Sequence, residues 1–187
     1  MENTVNNVSF RANIIPLTKI KDKAAFAEVK RLFEEKTQKN PKDILYISDG
    51  LFGENRLDLV KSYEVVSTKG INEQLESMGA SKLAEKLVKI FDALQAHTKA
   101  YEKNAKLKSD LNRAKGLLNL NIRISNAWAS EGKSHIAEKY QFLAAKNKEK
   151  IDDLTKEIVN RLRNFNKKID KLSEQYEELK DLKFLAP

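Results

Sequence analysis

The stretch SKLAEKLVKIFDALQAHTKAYEKNAKLKSDL (residues 81–111) carries apolar or near-apolar side chains at Leu83, Leu87, Ile90, Leu94, His97, Tyr101, Ala105, Lys108 and Leu111. Steps of four and three are the spacing of a heptad seam on a long helix. A second stripe runs Ile151, Leu154, Ile158, Leu162, Phe165, Ile169, Leu172, Tyr176 and Leu179. It contains one four-four-three step and then alternates strictly. Between the stripes, Ser130-Glu131-Gly132-Lys133-Ser134 is the obvious turn.

The two stripes can be tested against each other. In an antiparallel hairpin folded near residue 131, facing residue numbers must have a constant sum. Leu83 with Leu179, Ile90 with Leu172 and Leu111 with Ile151 give 262; Leu87 with Tyr176, Leu94 with Ile169 and Tyr101 with Leu162 give 263. The agreement supports a hairpin with arms 81–129 and 134–183. At ~1.5 Å per residue each arm is on the order of 75 Å long. One stretch fits less simply: Leu118-Asn119-Leu120-Asn121-Ile122-Arg123-Ile124-Ser125 alternates like a strand. Leu117, Leu120, Ile124 and Trp128 also make a helical stripe, and Gly116 could end the first helix early. Helix is expected here, because an isolated strand has no neighbour to pair with.

Breakers and charge divide the chain in the same place. Four of the six glycines and two of the three prolines lie in residues 1–80, which carry 12 basic and 12 acidic side chains. Residues 81–187 carry 23 basic and 15 acidic, hence the whole net charge of +8. The first part, 1–80, reads as a small α+β domain. Val8 to Ile14 alternates as a half-buried strand that Pro16 ends. Lys21 to Gln38 carries Ala24, Ala25, Phe26, Val29, Leu32 and Phe33, an amphipathic helix closed by Asn40-Pro41. Ile44 to Ile47 is a short strand ending at Asp49-Gly50. Leu57 to Val66 could be helix or two short strands around Lys61-Ser62. The β-branched pair Val65-Val66 favours strands. The expected fold is therefore α+β, mostly α: strand–helix–strand–strand in 1–80, then a coiled-coil-like helical hairpin in 81–187.

Composition narrows the chemistry. Among 187 residues there is no cysteine, which excludes disulfides, thiolate metal sites and cysteine nucleophiles. Two histidines, His97 and His135, leave little for imidazole metal chemistry. No run of 18 apolar residues exists, so no membrane-spanning helix is expected. The first residues have neither a basic nor an apolar leader region, and a cytoplasmic protein is expected.

Ala127-Trp128-Ala129-Ser130-Glu131-Gly132-Lys133-Ser134 fits the relaxed phosphate-loop spacing, in which backbone amides cradle phosphates, the Lys reaches them and the Ser holds Mg²⁺. Over about a dozen residues it resembles the phosphate loop of bacterial tyrosine kinases and partition ATPases. That resemblance implies further parallel strands and an acidic residue at the end of one. Residues 145–187 hold only helical pattern, and Asp152-Asp153 precede Leu154 instead of ending a strand. The cheaper reading is a polar turn between two helices.

Lys99, Lys103, Lys106 and Arg113 share one helix face, and residues 95–125 hold seven basic and two acidic side chains. Such a stripe is an electrostatic footprint for a phosphate backbone. It is equally the solvated face of a helical hairpin: Glu102 and Asp110 interrupt it, and few exposed aromatics accompany it for base stacking. His97 falls on the apolar stripe and reads as a polar layer in a helical interface. His135 has no acidic or cysteine partner nearby in sequence. Asn7-Val8-Ser9 matches a glycosylation acceptor but has no leader before it. Asp49 is explained by turn chemistry. Val88, Phe91, Val159 and Phe184 lie off the stripes and need a cover, from the N-terminal domain or another chain.

The expected function is that of a non-enzymatic protein-interaction or scaffolding protein acting through its hairpin. It would have a protein partner or self-association, and no catalytic residue, cofactor, metal or membrane. The alternative is a nucleic-acid binder using Lys99, Lys103, Lys106 and Arg113. A nucleotide binder at 127–134 comes third.

Overall fold

The computed structural model describes residues 12–37, 43–49, 55–60 and 62–185. The glycosylation-like triplet at 7–9, the expected strand residues 8–11, Asn40-Pro41, Gly50 and Lys61 lie outside them. The fold is α+β and mostly helical: a small four-stranded sheet is followed by two long packed helices. Two compact units divide the chain. The first holds residues 1–98 and 168–183, the second 99–167 and 184–187.

In the first unit β1 (Asn13–Pro16), β2 (Ile44–Asp49), β3 (Asn55–Leu59) and β4 (Val65–Thr68) form a sheet in that spatial order. β1 and β2 are parallel, Ile14 opposite Leu45, and α1 (Lys23–Lys36) makes the crossover between them. β2–β3 and β3–β4 are antiparallel, with Ile47 opposite Leu57 and Leu57 opposite Val66. The period of two puts Ile14, Leu45, Ile47, Leu57, Leu59 and Val66 on one buried face. Residues 57–66 therefore supply the two strands that β-branching favours. Pro16 is the last residue of β1, opposite Ile47, so the strand ends at the proline as expected. An edge strand tolerates the missing N–H.

α1 is started by Asp22, whose carboxylate accepts from the Ala25 N–H at 2.9 Å. Its buried residues are Phe26, Val29 and Phe33, as the stripe requires. α2 (Ile71–Ser130) begins earlier than the expected residue 81, and is interrupted at Gly79, whose φ of +76° and ψ of 168° are non-helical. Beyond the break Leu83, Leu87, Ile90, Phe91 and Leu94 are all buried. Phe91 stands edge-on to Phe33 of α1, ring centroids 5.2 Å apart. Of the four side chains that needed a cover, Phe91 finds one inside its own unit. In the second unit Phe184 packs edge-on against Phe165 at 5.0 Å, and its backbone exchanges two hydrogen bonds with the Asn166 amide.

α3 (Ser134–Ser173) stops ten residues short of the expected end at 183. A 3₁₀ turn, Glu177–Leu179, follows. The stripe residues Tyr176 and Leu179 are thus outside the long helix, although Leu179 and Leu182 remain buried. Local propensity is overridden by tertiary bonds: Glu178 pairs with Lys86 and accepts from the Thr68 hydroxyl at 3.3 Å. Lys183 pairs with Asp170.

His97 lies in the buried run of α2 in the first unit, 2% exposed, with buried Thr98 after it. Burial holds its imidazole below the usual histidine range, and the Glu64 carboxylate opposes that shift. A buried histidine that resists its proton costs folding nothing while the unfolded residue is also neutral. Stability is therefore full above pH 6.5 and falls as pH drops below it, where the unfolded imidazole takes up the proton first. Melting temperatures between pH 7.5 and 5.5 are expected to decline, and His97→Gln to decline less.

Candidate functional site

The turn between α2 and α3 is built by Gly132, at φ +76°. Its N–H bonds the Ala129 carbonyl at 3.0 Å, and the Lys133 N–H bonds that of Trp128 at 3.0 Å. These two bonds form a Schellman cap, which ends a helix with glycine in the left-handed conformation. Those amides, which a phosphate loop would aim at its ligand, are spent on carbonyls. The segment before them is helix, not strand. Lys133 Nζ lies 4.3 Å from the Trp128 ring centroid and 3.1 Å from the Glu131 carboxylate. Residues 127–134 are a helix cap and turn.

The register of the hairpin is fixed by a bond inside the second unit. Ser125 Oγ donates to the Ala137 carbonyl at 2.9 Å, and their residue numbers sum to 262. Burial then traces the seam. On α2 the covered or half-covered positions Ala100, Asn104, Leu107, Leu111, Ala114, Leu118, Asn121, Ser125 and Trp128 alternate three and four, with Asp110 and Ile124 half-covered at their margin. On α3 the matching seam is Ala137, Tyr140, Ala144, Asn147, Ile151, Leu154, Ile158 and Leu162, with Ile136, Leu143, Glu157, Val159 and Arg161 half-covered beside it. The α3 seam agrees with the stripe read from sequence. The α2 seam departs from it between His97 and Leu111: Tyr101, Ala105 and Lys108 are exposed, and Ala100, Asn104 and Leu107 take their places. Polar Asn104 is a poor guess for a core position, while Tyr101 and Ala105 look apolar. The small residues Ala100, Ala114 and Ser125 nevertheless let the helices approach.

Asn104 is 6% exposed, and neither its Nδ2 nor its Oδ1 has a hydrogen-bond partner among the described residues. A polar side chain at one seam position costs stability and specifies register. Asn104→Leu is expected to stabilise the chain by about 1–3 kcal/mol, the cost of an unsatisfied buried amide. Thermal melting measures that gain, and light scattering shows whether the variant also self-associates.

Outside the seam the surface has two characters. Lys99, Lys103, Lys106 and Arg113 are all exposed, as read from their spacing. The second unit carries 16 basic and 8 acidic side chains, so the whole +8 resides there, while the first unit has 19 of each. Large apolar side chains also face solvent: Leu117 (42% exposed), Leu120 (50%), Ile122 (43%) and Phe142 (59%). Lys146 Nζ sits 4.6 Å from the Phe142 ring centroid. The helical stripe read through Leu117, Leu120, Ile124 and Trp128 is not the packed seam: Leu117 and Leu120 stand in solvent, and the sequence reading gives Ile122 and Phe142 no role. The signal was the alternation in 118–125, which on a helix throws Leu120, Ile122 and Ile124 out of the seam that Leu118, Asn121 and Ser125 occupy.

His135 is exposed, and no group of three His, Cys, Asp or Glu able to hold a metal occurs among the described residues. Asp49 ends β2 and is exposed. In the first unit a groove of about 370 Å³ runs beside β4, lined by Glu64, Lys69, Glu177 and Asp181 among others, with Glu178 committed to Lys86. No helix among the described residues is long and apolar enough to cross a membrane. No protein-family model, curated protein or solved structure matches the chain.

Proposed function

We propose that the chain is a non-enzymatic protein-interaction or scaffolding protein that engages its partner through the helical hairpin. The observation that carries this reading is the pair of large apolar side chains standing in solvent on one side of α2 in the second unit, Leu117 and Leu120, next to half-buried Ile124. Contiguous exposed apolar surface rimmed by polar groups marks interaction sites. The proposal involves no catalytic step or cofactor and places the protein in the cytoplasm.

A second reading is favoured by the confinement of the +8 to residues 99–167. Lys99, Lys103, Lys106 and Arg113 would then hold a phosphate backbone. Nucleic-acid contact of that kind weakens steeply with salt, by about one unit of log–log slope per phosphate contact. Changing Lys99, Lys103 and Lys106 to Gln separates the readings. For an interaction protein the melting temperature stays nearly constant, as for surface substitutions generally. Titration with duplex DNA or RNA then shows no tight, salt-sensitive binding before or after the change. Tight binding that the triple variant weakens and whose salt slope it flattens establishes the second reading instead.

A further inference from the structure

The heptad register separates the two flanks of the hairpin. In an antiparallel pair, residues just before the seam positions that start each heptad lie together on one flank, and those just after the other seam positions lie on the opposite flank. On α2 the first flank contains Lys103, Asp110, Leu117 and Ile124; on α3 it contains Ile136, Leu143, Lys150 and Glu157, the last paired with Arg161. Ile124, Ile136 and Leu143 are half-buried, so this flank carries apolar surface from both helices. Leu117, Leu120 and Ile124 form its α2 wall at i, i+3 and i+7, the anchor spacing that a packed helix meets. The opposite flank holds Lys108, Lys115 and Ile122, all exposed.

Along α2 the apolar wall continues, on the same side, into Lys99, Lys103, Lys106 and Arg113, with Asp110 on that flank and Glu102 beside it as acidic interruptions. On α3 Lys139 and Lys146 border it. From Lys99 to Ile124 the surface is roughly 38 Å long at ~1.5 Å per residue. A second copy of this chain would bring one net positive unit against another, and like charges in register are repulsive.

We infer that this flank docks an acidic amphipathic helix of a partner protein, about 24 residues long at ~1.5 Å each. The helix lays Leu, Ile or Phe side chains against Leu117, Leu120 and Ile124, and aligns carboxylates with the Lys99–Arg113 stripe. The inference rests on the proposed interaction function and narrows it to one flank and one partner chemistry.

A naive display library of helix-forming 24-residue peptides, selected against the full chain, provides the test. Enriched sequences are expected to be net negative, with large apolar residues at i, i+3 or i+4, and i+7. Leu117→Ser with Leu120→Ser should weaken the selected peptides about tenfold or more, and Ile122→Ser less than about twofold. The melting temperature of each variant confirms that it folds. Raising salt should also weaken binding.

Enrichment of basic or non-periodic peptides, or of none, overturns the inference. So does a loss at Ile122 in place of Leu117 and Leu120, although that result leaves the hairpin as an interaction surface. Binding to phosphatidylserine vesicles that needs Leu117 and Leu120, without peptide enrichment, assigns the flank to an anionic membrane. A dimer in light scattering that Leu120→Ser dissolves assigns it to a second copy. Salt-sensitive DNA or RNA binding without peptide enrichment removes the broader interaction reading as well.

Discussion

Phe91→Ala is expected to destabilise the protein by about 3–5 kcal/mol, the range for truncating a buried aromatic. Phe91 is fully buried and meets Phe33 edge-on at 5.2 Å, so truncation empties a space walled by a rigid ring and removes an aromatic pair. Its position on α2, off the heptad stripe, means that the loss falls on the contact with α1 and not on the hairpin seam. Phe142→Ala makes the contrast, because that ring is 59% exposed and its loss should lie within about 0.5 kcal/mol. Chemical denaturation of both variants measures the difference. A cost for Phe91→Ala below that for Phe142→Ala would contradict the packing described for the first unit.

Lys86→Met is the second large effect. Lys86 Nζ bonds the Glu178 carboxylate and the Gln74 side-chain oxygen, the latter at 2.6 Å. The Lys86 and Glu178 side chains are only 15% and 9% exposed. Removing the cation leaves a buried carboxylate whose remaining side-chain partner is the Thr68 hydroxyl. Breaking a buried pair from one side costs about 3–5 kcal/mol, whereas replacing both partners with apolar groups is often neutral. The expectation is a loss near the lower end of that range, about 3 kcal/mol, because neither group is fully dry. The double variant Lys86→Met with Glu178→Leu should recover most of it. A double variant as unstable as the single would mean that packing, not charge, sets the cost.

Much of this fold was legible because burial imposes a period. The helical stripe Phe26, Val29, Phe33 marks its helix directly, whereas Leu57 and Leu59 fit helix or strand and only the β-branched pair Val65-Val66 tips the reading to strands. The α3 seam was readable because Ile, Leu and Phe occupy nearly every position of it. Legibility failed where the core is made of small or polar side chains. Polar Asn104 carries no hydrophobic signal and Ala100 only a weak one, so the stripe was read one residue away, through Tyr101, Ala105 and Lys108, past Leu107. It failed again at Ser173, where α3 ends without glycine or proline. There the salt bridge of Glu178 with Lys86 draws the chain into a 3₁₀ turn, and a long-range partner cannot be seen in local pattern. The basic stripe was readable from spacing alone. The apolar wall beside it was hidden by the same alternation that suggested a strand, and only the register of Ser125 on Ala137 shows which of those residues face outward.

Everything proposed for the second unit depends on that register. The chain has no cysteine, so paired labelling sites can be introduced cleanly. Glu102 and Asn160 are both exposed, on opposite helices, with residue numbers that sum to 262. Spin labels on Glu102→Cys and Asn160→Cys, read by double electron–electron resonance in the full chain, measure their separation. Helices packed about 8–10 Å apart, with the added reach of two labels, predict a narrow distribution under about 30 Å. One continuous helix across the 58 intervening steps would put the labels roughly 87 Å apart at ~1.5 Å per step. A distance in that range, or a broad distribution with no short component, would contradict the antiparallel hairpin and the interaction flank built on it.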